Sequence, residues 1–359
     1  MLTHTLLPLN STHIPKSIEV LLSALDNVIV IKDGHIIKHQ LTHAFDGVQI
    51  TDFNHADHQL TGRISALKIP EKAVLEYNQD ALNSSLFIYV PKTLKLAETL
   101  HIFYLQETID MVHNTMILMD EDSSLKTFEY IHNASSCAFN FVSRAYLDAS
   151  SQLKTTSLST LSNQCAATLN RLAHLEQDAQ IYYMNALFGD ALTEQDTSII
   201  LQGEAAKAVN HTIAFTSKAQ EAFVRTLIEH RAKRTEGKIE HYGVANDQSF
   251  LVFEGIGQIH KGMVQSHARQ NTKGIVLGAQ ARLDANPLLL IDEYDIEAGH
   301  GAAIGQIDEE QLYYMMSRGL TRKHAERLII NSFIEPIKAQ TSNQSMHTHI
   351  DELLMAKTQ

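Results

Sequence analysis

The sequence predicts a mainly β protein in which many short strands stack with few helices between them. Three observations point there. From about residue 85, short apolar runs recur at 86–90, 100–105, 116–119, 139–142, 181–188, 250–253 and 275–277, each broken by polar turns. Helix-length apolar stripes are few in that span. Asn-Gly and Asp-Gly pairs, the usual hairpin signals, are nearly missing between 85 and 305. A sandwich, a barrel and a parallel β-helix fit the first two observations. The third favours a β-helix, as does the alternation of small and polar residues over 279–285, because tight coils take small inward side chains.

The chain has 359 residues, with 29 Lys and Arg against 41 Asp and Glu and a net charge of −12. That length holds two or three domains or one elongated one. The acidic balance makes nucleic acid and anionic membranes poor partners. Two cysteines, Cys137 and Cys165, argue against a disulfide scaffold and a Cys-built zinc site. Each is expected to be a buried, inert thiol. No charged leader with an apolar core opens the sequence, and no apolar run approaches the ~18 residues of a membrane span. The expectation is a cytoplasmic protein.

Residues 15–26 form an amphipathic helix with Ile18, Leu21, Leu22 and Leu25 on one face and Pro15 near its start. Asp33-Gly34 between two β-branched runs sets a hairpin over 28–37. Residues 40–82 have weak periodicity. Within the β region, 161–176 is the segment that reads best as a helix.

A period of two then runs from Leu290 to Ile304. Leu290, Tyr294, Ile296, Ala298, His300, Ala302 and Ile304 share one parity; Glu293, Asp295, Glu297, Gly299, Gly301 and Gly305 share the other. This reads as one strand whose glycines admit a close neighbour. After Ile307 the period becomes 3.6. Asp308 caps a helix over about 309–318 with Gln311 as capping-box partner; Leu312, Met315 and Met316 form its stripe and Gly319 its C′ residue. A second helix starts at Thr321, presents Ala325, Leu328, Ile329 and Phe333, and stops before Pro336. A last helix carries Ile350, Leu353 and Leu354. The expected organisation is a helix and hairpin region at 1–84, a β core at 85–306 and a helical domain at 307–359.

The run from Ile291 to Gly305 and its continuation from Asp308 to Leu320 resemble the C-terminal signature of the SufB/SufD family of iron–sulfur cluster assembly proteins. Further likeness lies in 198–203, in 227–230 and in Phe253-Glu254-Gly255-Ile256-Gly257-Gln258-Ile259, and weakly in 83–110. The form Gly299-His300-Gly301-Ala302 is that of SufD, whereas SufB carries His-Glu-Ala and functional cysteines; 181–359 here has none. The resemblance implies a right-handed parallel β-helix core with helical N- and C-terminal segments. It implies no enzyme activity of the chain's own, pairing with SufB through the β-helix edge around 288–305, and docking of the SufC ATPase on the C-terminal helices. Asp308, Gln311, Tyr314, Arg318 and Gly319 are the residues expected at that docking surface. His300 is the candidate ligand for iron or a cluster at the SufB boundary, with Ala298 where some SufD sequences have cysteine. No cofactor is expected to stay on this chain alone; a cluster would be held transiently in the complex. In isolation a homodimer is expected.

Other candidates carry less. Glu293, Asp295 and Glu297 on one strand face could hold Ca²⁺ but suit a solvated edge better. His347 and His349 sit in a polar tail. Lys207, Lys218 and Arg231 to Arg234 are surface charge. No G-x-x-x-x-G-K-[ST] and no G-x-S-x-G occurs. The alternative functions are a β-helix enzyme acting on polysaccharide, which the lack of Trp disfavours, and a stand-alone iron-binding homodimer.

Overall fold

The computed structural model describes residues 14–65, 73–340 and 343–357. Its strands are β1 (Val28–Lys32), β2 (His35–Gln40), β3 (Gln49–Thr51), β4 (Ser84–Val90), β5 (Lys95–Gln106), β6 (Met111–Met119), β7 (Ser124–Asn133), β8 (Phe139–Leu147), β9 (Gln152–Leu161), β10 (Ala166–Leu175), β11 (Gln180–Leu187), β12 (Leu192–Leu201), β13 (Lys207–Thr216), β14 (Glu221–His230), β15 (Glu236–Ala245), β16 (Phe250–Ile259), β17 (Ser266–Val276), β18 (Arg282–Ile291) and β19 (Ile296–Gly305). Its α-helices are α1 (Lys16–Ser23), α2 (His58–Ser65), α3 (Ala73–Asp80), α4 (Glu309–Ser317), α5 (Arg322–Lys338) and α6 (Gln344–Lys357).

From β4 onward, successive strands alternate between two sheets, and each pairs in parallel with the strand two places on. Ala166 pairs with Leu192, Gln152 with Gln180 and Phe250 with Arg282, so a coil takes from 26 residues (166 to 192) to 32 (250 to 282). The result is a parallel β-solenoid of about eight turns with helices at the termini, the β-helix architecture expected from the sequence. The first sheet runs β19-β17-β15-β13-β11-β9-β7-β5-β1-β2 and the second β18-β16-β14-β12-β10-β8-β6-β4-β3.

The turns explain the missing Gly signals. Asp122, Ser150, Asp178, Ala205, Arg234 and Gln265 occupy the same corner of successive coils, each with φ between 54° and 60°. The left-handed region costs a non-glycine residue roughly 1–2 kcal/mol. Each of these N–H groups donates to a carbonyl one coil on: Ser150 to Gln177 at 2.8 Å, Asp178 to Glu204 at 2.9 Å, Arg234 to Val264 at 3.0 Å. Tertiary stacking, not turn propensity, holds the corner.

Period two sends alternate side chains into the lumen. One row inside the first sheet is Glu129–Ser157–Asn185–Thr212–His241–Thr272–Ala302, and the next is Thr127–Thr155–Tyr183–Asn210–Ile239–Gln270–His300. Apolar rows flank this polar file. The Arg171 guanidinium donates to Glu129 Oε2 at 2.5 Å and to Asn185 Oδ1 at 3.1 Å, with both charged residues buried. The file continues through Asn210 and Thr226 to His241.

The N-terminal elements follow the sequence closely. α1 buries Ile18, Leu21 and Leu22, and Asp33 and Gly34 turn the β1–β2 hairpin with φ 45° and 86°. Three expectations are corrected. Residues 161–176 are not helical: β9 ends at Leu161 and β10 turns Ala167, Leu169, Arg171, Ala173 and Leu175 to one buried face. The apolar spacing fitted both periods, and the ladders on both sides select the strand. Next, the 290–304 pattern is two strands in two sheets, separated by the turn 292–295; Tyr294 is fully exposed there. Finally, α5 runs through Pro336 to Lys338. An interior proline costs about 3 kcal/mol, offset by the buried Ile337 and by the Lys338–Asp351 ion pair, which tie the last turn down. Leu328 points to solvent, and Ile330 takes its place on the buried face.

Helices α1, α5 and α6 pack on the outside of the first sheet, and α2 and α3 on β6 and β8 of the second. Ile330, Ile337, Met346, Ile350 and Leu354 join Leu21, Leu22, Phe128, Tyr130, Leu158 and Met184 in one apolar cluster. His349 Nε2 lies 2.8 Å from Tyr130 Oη. Lys357 is buried, donating to Gly189 O at 2.6 Å and Asp190 Oδ1 at 2.5 Å. The described residues of the 307–359 segment therefore share their core with the solenoid.

Candidate functional site

The two ends of the solenoid differ. At the N-terminal end the sheets finish in β2 and β3, which pair antiparallel with β1 and β4. At the C-terminal end β18 and β19 each have a neighbour on one side only, β16 and β17. Unsatisfied N–H and C=O groups along a straight edge are a template for another chain. Pro287 within β18 is tolerated because that strand is at an edge.

The last coil is also bare on its faces. Ile296, Ala298, His300, Ala302 and Ile304 continue the lumen parity of β17, but among the described residues no further coil covers them; from Glu297 onward every residue of β19 is exposed. On the outer face of β18, Leu288 and Leu290 are 41% and 49% exposed. Lumen glycines within the solenoid are tightly enclosed, a Cβ on Gly243 or Gly274 sitting 2.6 or 2.8 Å from Phe253 or Leu283 side chains, whereas Gly299, Gly301 and Gly305, on the outer face of β19, have nothing among the described residues within 4 Å. The close neighbour expected at these last glycines is not within the described chain.

His300 stands at the mouth of the lumen, one rung above Gln270. It borders a cleft of about 530 Å³ shared with Arg269, Gln270, Glu240 and Glu297. Gln270 is 94% buried, donates to Leu288 O at 2.8 Å, and fills the space left by Gly255. Sequence reasoning missed Gln270; the signal lay in the glycine pair Gly255 and Gly257, which vacates the lumen opposite it. Among the described residues no three His, Cys, Asp or Glu side chains converge as a metal set. A ligand set built on His300 takes its other members from outside the described residues.

The acidic trio does not share a face. Glu293 accepts backbone N–H groups of Gly262 at 2.7 Å and Tyr294 at 2.8 Å in the turn, holding its carboxyl below the usual range, while Glu297 sits on β19 beside Arg269 at 3.2 Å. His347 and His349 lie on α6 and reach Lys338 O and Tyr130 separately. Burial pushes the Cys165 thiol up to about 11, so it is a thiol and not a thiolate.

Beyond the edge, Asp308 caps α4 by accepting from Glu310 N at 2.8 Å, and Gln311 is exposed. Gly319 N donates to Met316 O and Leu320 N to Met315 O, with Gly319 at φ 96°, the paired bonds of a Schellman stop. Leu312 is buried, but Tyr313, Tyr314 and Met316 are 76%, 60% and 42% exposed. The Arg318 guanidinium lies over the Tyr314 ring at 5.3 Å, so these two expected docking residues meet. Arg322 clamps Glu309 and Glu326 and joins α4 to α5.

Residues 103–333 match the family described as SUF system FeS cluster assembly, SufBD core domain. That covers well over half of the sequence, and the chain belongs to this SufBD family. It is similar to the iron–sulfur cluster assembly protein SufD of Bacillus subtilis, 32% identical over 277 residues, which are 76% of this chain and 63% of that protein. An iron–sulfur cluster assembly SufBD family protein of Staphylococcus saprophyticus is 27% identical and one of Staphylococcus epidermidis 26%, each over 71% of this chain and 57% of theirs. The chain thus matches less than two thirds of the length of these relatives. Its SufD-type character agrees with the Gly299-His300-Gly301-Ala302 form. No described helix is long and apolar enough to cross a membrane.

Proposed function

We propose that this chain is a cytoplasmic, non-ATPase subunit of a SUF assembly complex, pairing with SufB along β18 and β19 and docking SufC on α4 and α5. One observation carries the pairing: a straight parallel edge, glycine-lined and uncovered, at one end of a solenoid whose other end is closed by antiparallel strands. A second solenoid of the same pitch extends both ladders and covers the open lumen. Tyr313, Tyr314 and Met316 supply the apolar and aromatic area that anchors protein interfaces. Clusters are cargo of the complex, and His300 contributes one ligand at the boundary. Family membership favours this reading over a polysaccharide-acting enzyme.

The test is co-purification of the full-length chain with SufB and SufC, compared with an Ala302→Lys variant. Ala302 is exposed at the lumen mouth, so the isolated variant folds normally, but pairing would bury an unpartnered ammonium. Loss of SufB with retention of SufC is expected. Full recovery of SufB by the variant refutes edge pairing. A homodimer of the wild type that takes up iron alone and recovers neither partner favours the stand-alone reading.

A further inference from the structure

The helical cover stops short of the N-terminal ends of the first sheet's strands. There the outer face forms an open trough of about 920 Å³. Six of its side chains stand in one register column along the solenoid: Lys126, Lys154, Tyr182, Val209, Lys238 and Arg269. The column has a charge pattern of two cations, an aromatic and an aliphatic residue, then two cations.

Like charges on neighbouring rungs repel. Lys238 and Arg269 are relieved by Glu240 at 3.0 Å and Glu297 at 3.2 Å, pairs exposed enough to exchange partners. Lys126 and Lys154 are not. Lys126 donates weakly to Ala97 O at 3.4 Å, Lys154 lies 5.3 Å from the Tyr182 ring centre, and among the described residues neither meets a carboxylate. Burial, and then Lys126, pull the Lys154 ammonium below its usual pKa. An acidic chain, net −12, holds these neighbouring cations without a counter-charge of its own.

Length and pattern select the occupant. Five steps of about 4.8 Å make the column roughly 24 Å long, more than one small anion spans. The evenly spaced phosphates of a nucleic acid would fall on the uncharged centre and beside Glu236, Glu240 and Glu297. Lys154 and Lys238 are three rungs apart, about 14 Å, which an extended peptide covers in about four residues at ~3.3 Å each. Positions i, i+2 and i+4 of such a peptide share one face.

We propose that this trough docks an extended acidic segment of a partner protein, laid along the solenoid, with carboxylates at i and i+4 over Lys154 and Lys238 and an apolar side chain at i+2 over Tyr182 and Val209.

The experiment titrates the full-length chain with fluorescent peptides at low salt. The probe is Ser-Glu-Ser-Leu-Ser-Glu-Ser; the controls are a variant with Ser for Leu, a scramble that separates the three side chains, and a single-stranded oligonucleotide. The Leu peptide is expected to bind, to weaken as salt rises, and to lose about tenfold in affinity on Lys126→Gln with Lys154→Gln, the loss of one good interaction. Tyr182→Ala, a separate variant, is expected to abolish the preference for Leu over Ser. Equal binding of the Leu peptide to wild type and double variant overturns the proposal, as does no binding at all. Equal binding of the scramble overturns the spacing, and tighter binding of the oligonucleotide assigns the trough to nucleic acid instead. Lys126 and Lys154 are exposed and Tyr182 is half-buried, so thermal melts of both variants check that the fold stays intact.

Discussion

His300 and Gln270 are register partners on adjacent coils of one sheet, yet Gln270 is buried and His300 is open to solvent. One rung separates the interior of the solenoid from its mouth. The same step distinguishes Thr272, which is buried, from its register partner Ala302, which is exposed. The last coil is built like the others, but among the described residues no coil covers it.

The bare edge leads to the first prediction. Purified alone, the chain is expected to self-associate as a two-fold dimer through β18 and β19. Light scattering at micromolar concentration should give twice the chain mass, and Ala302→Lys should return the monomer. A monomeric wild type would count against the edge as a pairing surface.

The second concerns His300. Its side chain is exposed, so His300→Ala should change stability by no more than about 0.5 kcal/mol, as surface substitutions do. Iron and sulfide carried by the assembled complex should fall sharply while SufB and SufC still co-purify. A normal cluster load would leave His300 as a strand residue without a ligand role.

The third addresses the lumen. Glu129→Gln leaves the Arg171 guanidinium buried without its counter-charge and should cost about 3–5 kcal/mol in urea unfolding. Replacing both residues by Met should cost clearly less, because no charge is then stranded. If the two variants are equally destabilised, the pair acts by packing alone.

The fourth concerns pH. Burial lowers His113 and His241 to about 3, and His211 and His230 to about 4. In the unfolded chain each titrates near 6.5. Between those values the unfolded state binds more protons, so stability is complete above about pH 6.5 and is lost as pH falls toward 4. Each histidine contributes about 1.4 kcal/mol per pH unit inside that window. Urea midpoints should hold from pH 7 to 8 and drop steeply between 6 and 4.5; a flat profile there would mean that these imidazoles are hydrated.

The fifth separates docking from folding. Deleting 308–359 would uncover Phe128, Tyr130, Leu158 and Met184, so a truncation confounds the two. Tyr313→Ala with Tyr314→Ala removes exposed rings only. SufC binding should weaken at least tenfold with an unchanged thermal melt. Undiminished binding would move the SufC surface elsewhere.

The local signals are legible in the sequence: the Asp33-Gly34 turn, the Asp308 and Thr321 caps, the Gly319 stop and the period-two rows that put His300, Ala302 and Ile304 on one side. Each depends on a residue's own backbone preference or on alternation, which act over a few positions. The family was also legible there, in the run from Ile291 to Leu320. The rest depends on neighbours 26 to 32 residues away along the chain. Stacking put Ser150, Ala205 and Arg234 into left-handed corners that their side chains do not favour, because the next coil accepts their N–H groups. It made 166–175 a strand between two strands, split 290–304 across two sheets, and carried α5 past Pro336 because Ile337 had a core to enter. It also stacked Lys126 on Lys154 and set His300 over Gln270, contacts that no local pattern encodes.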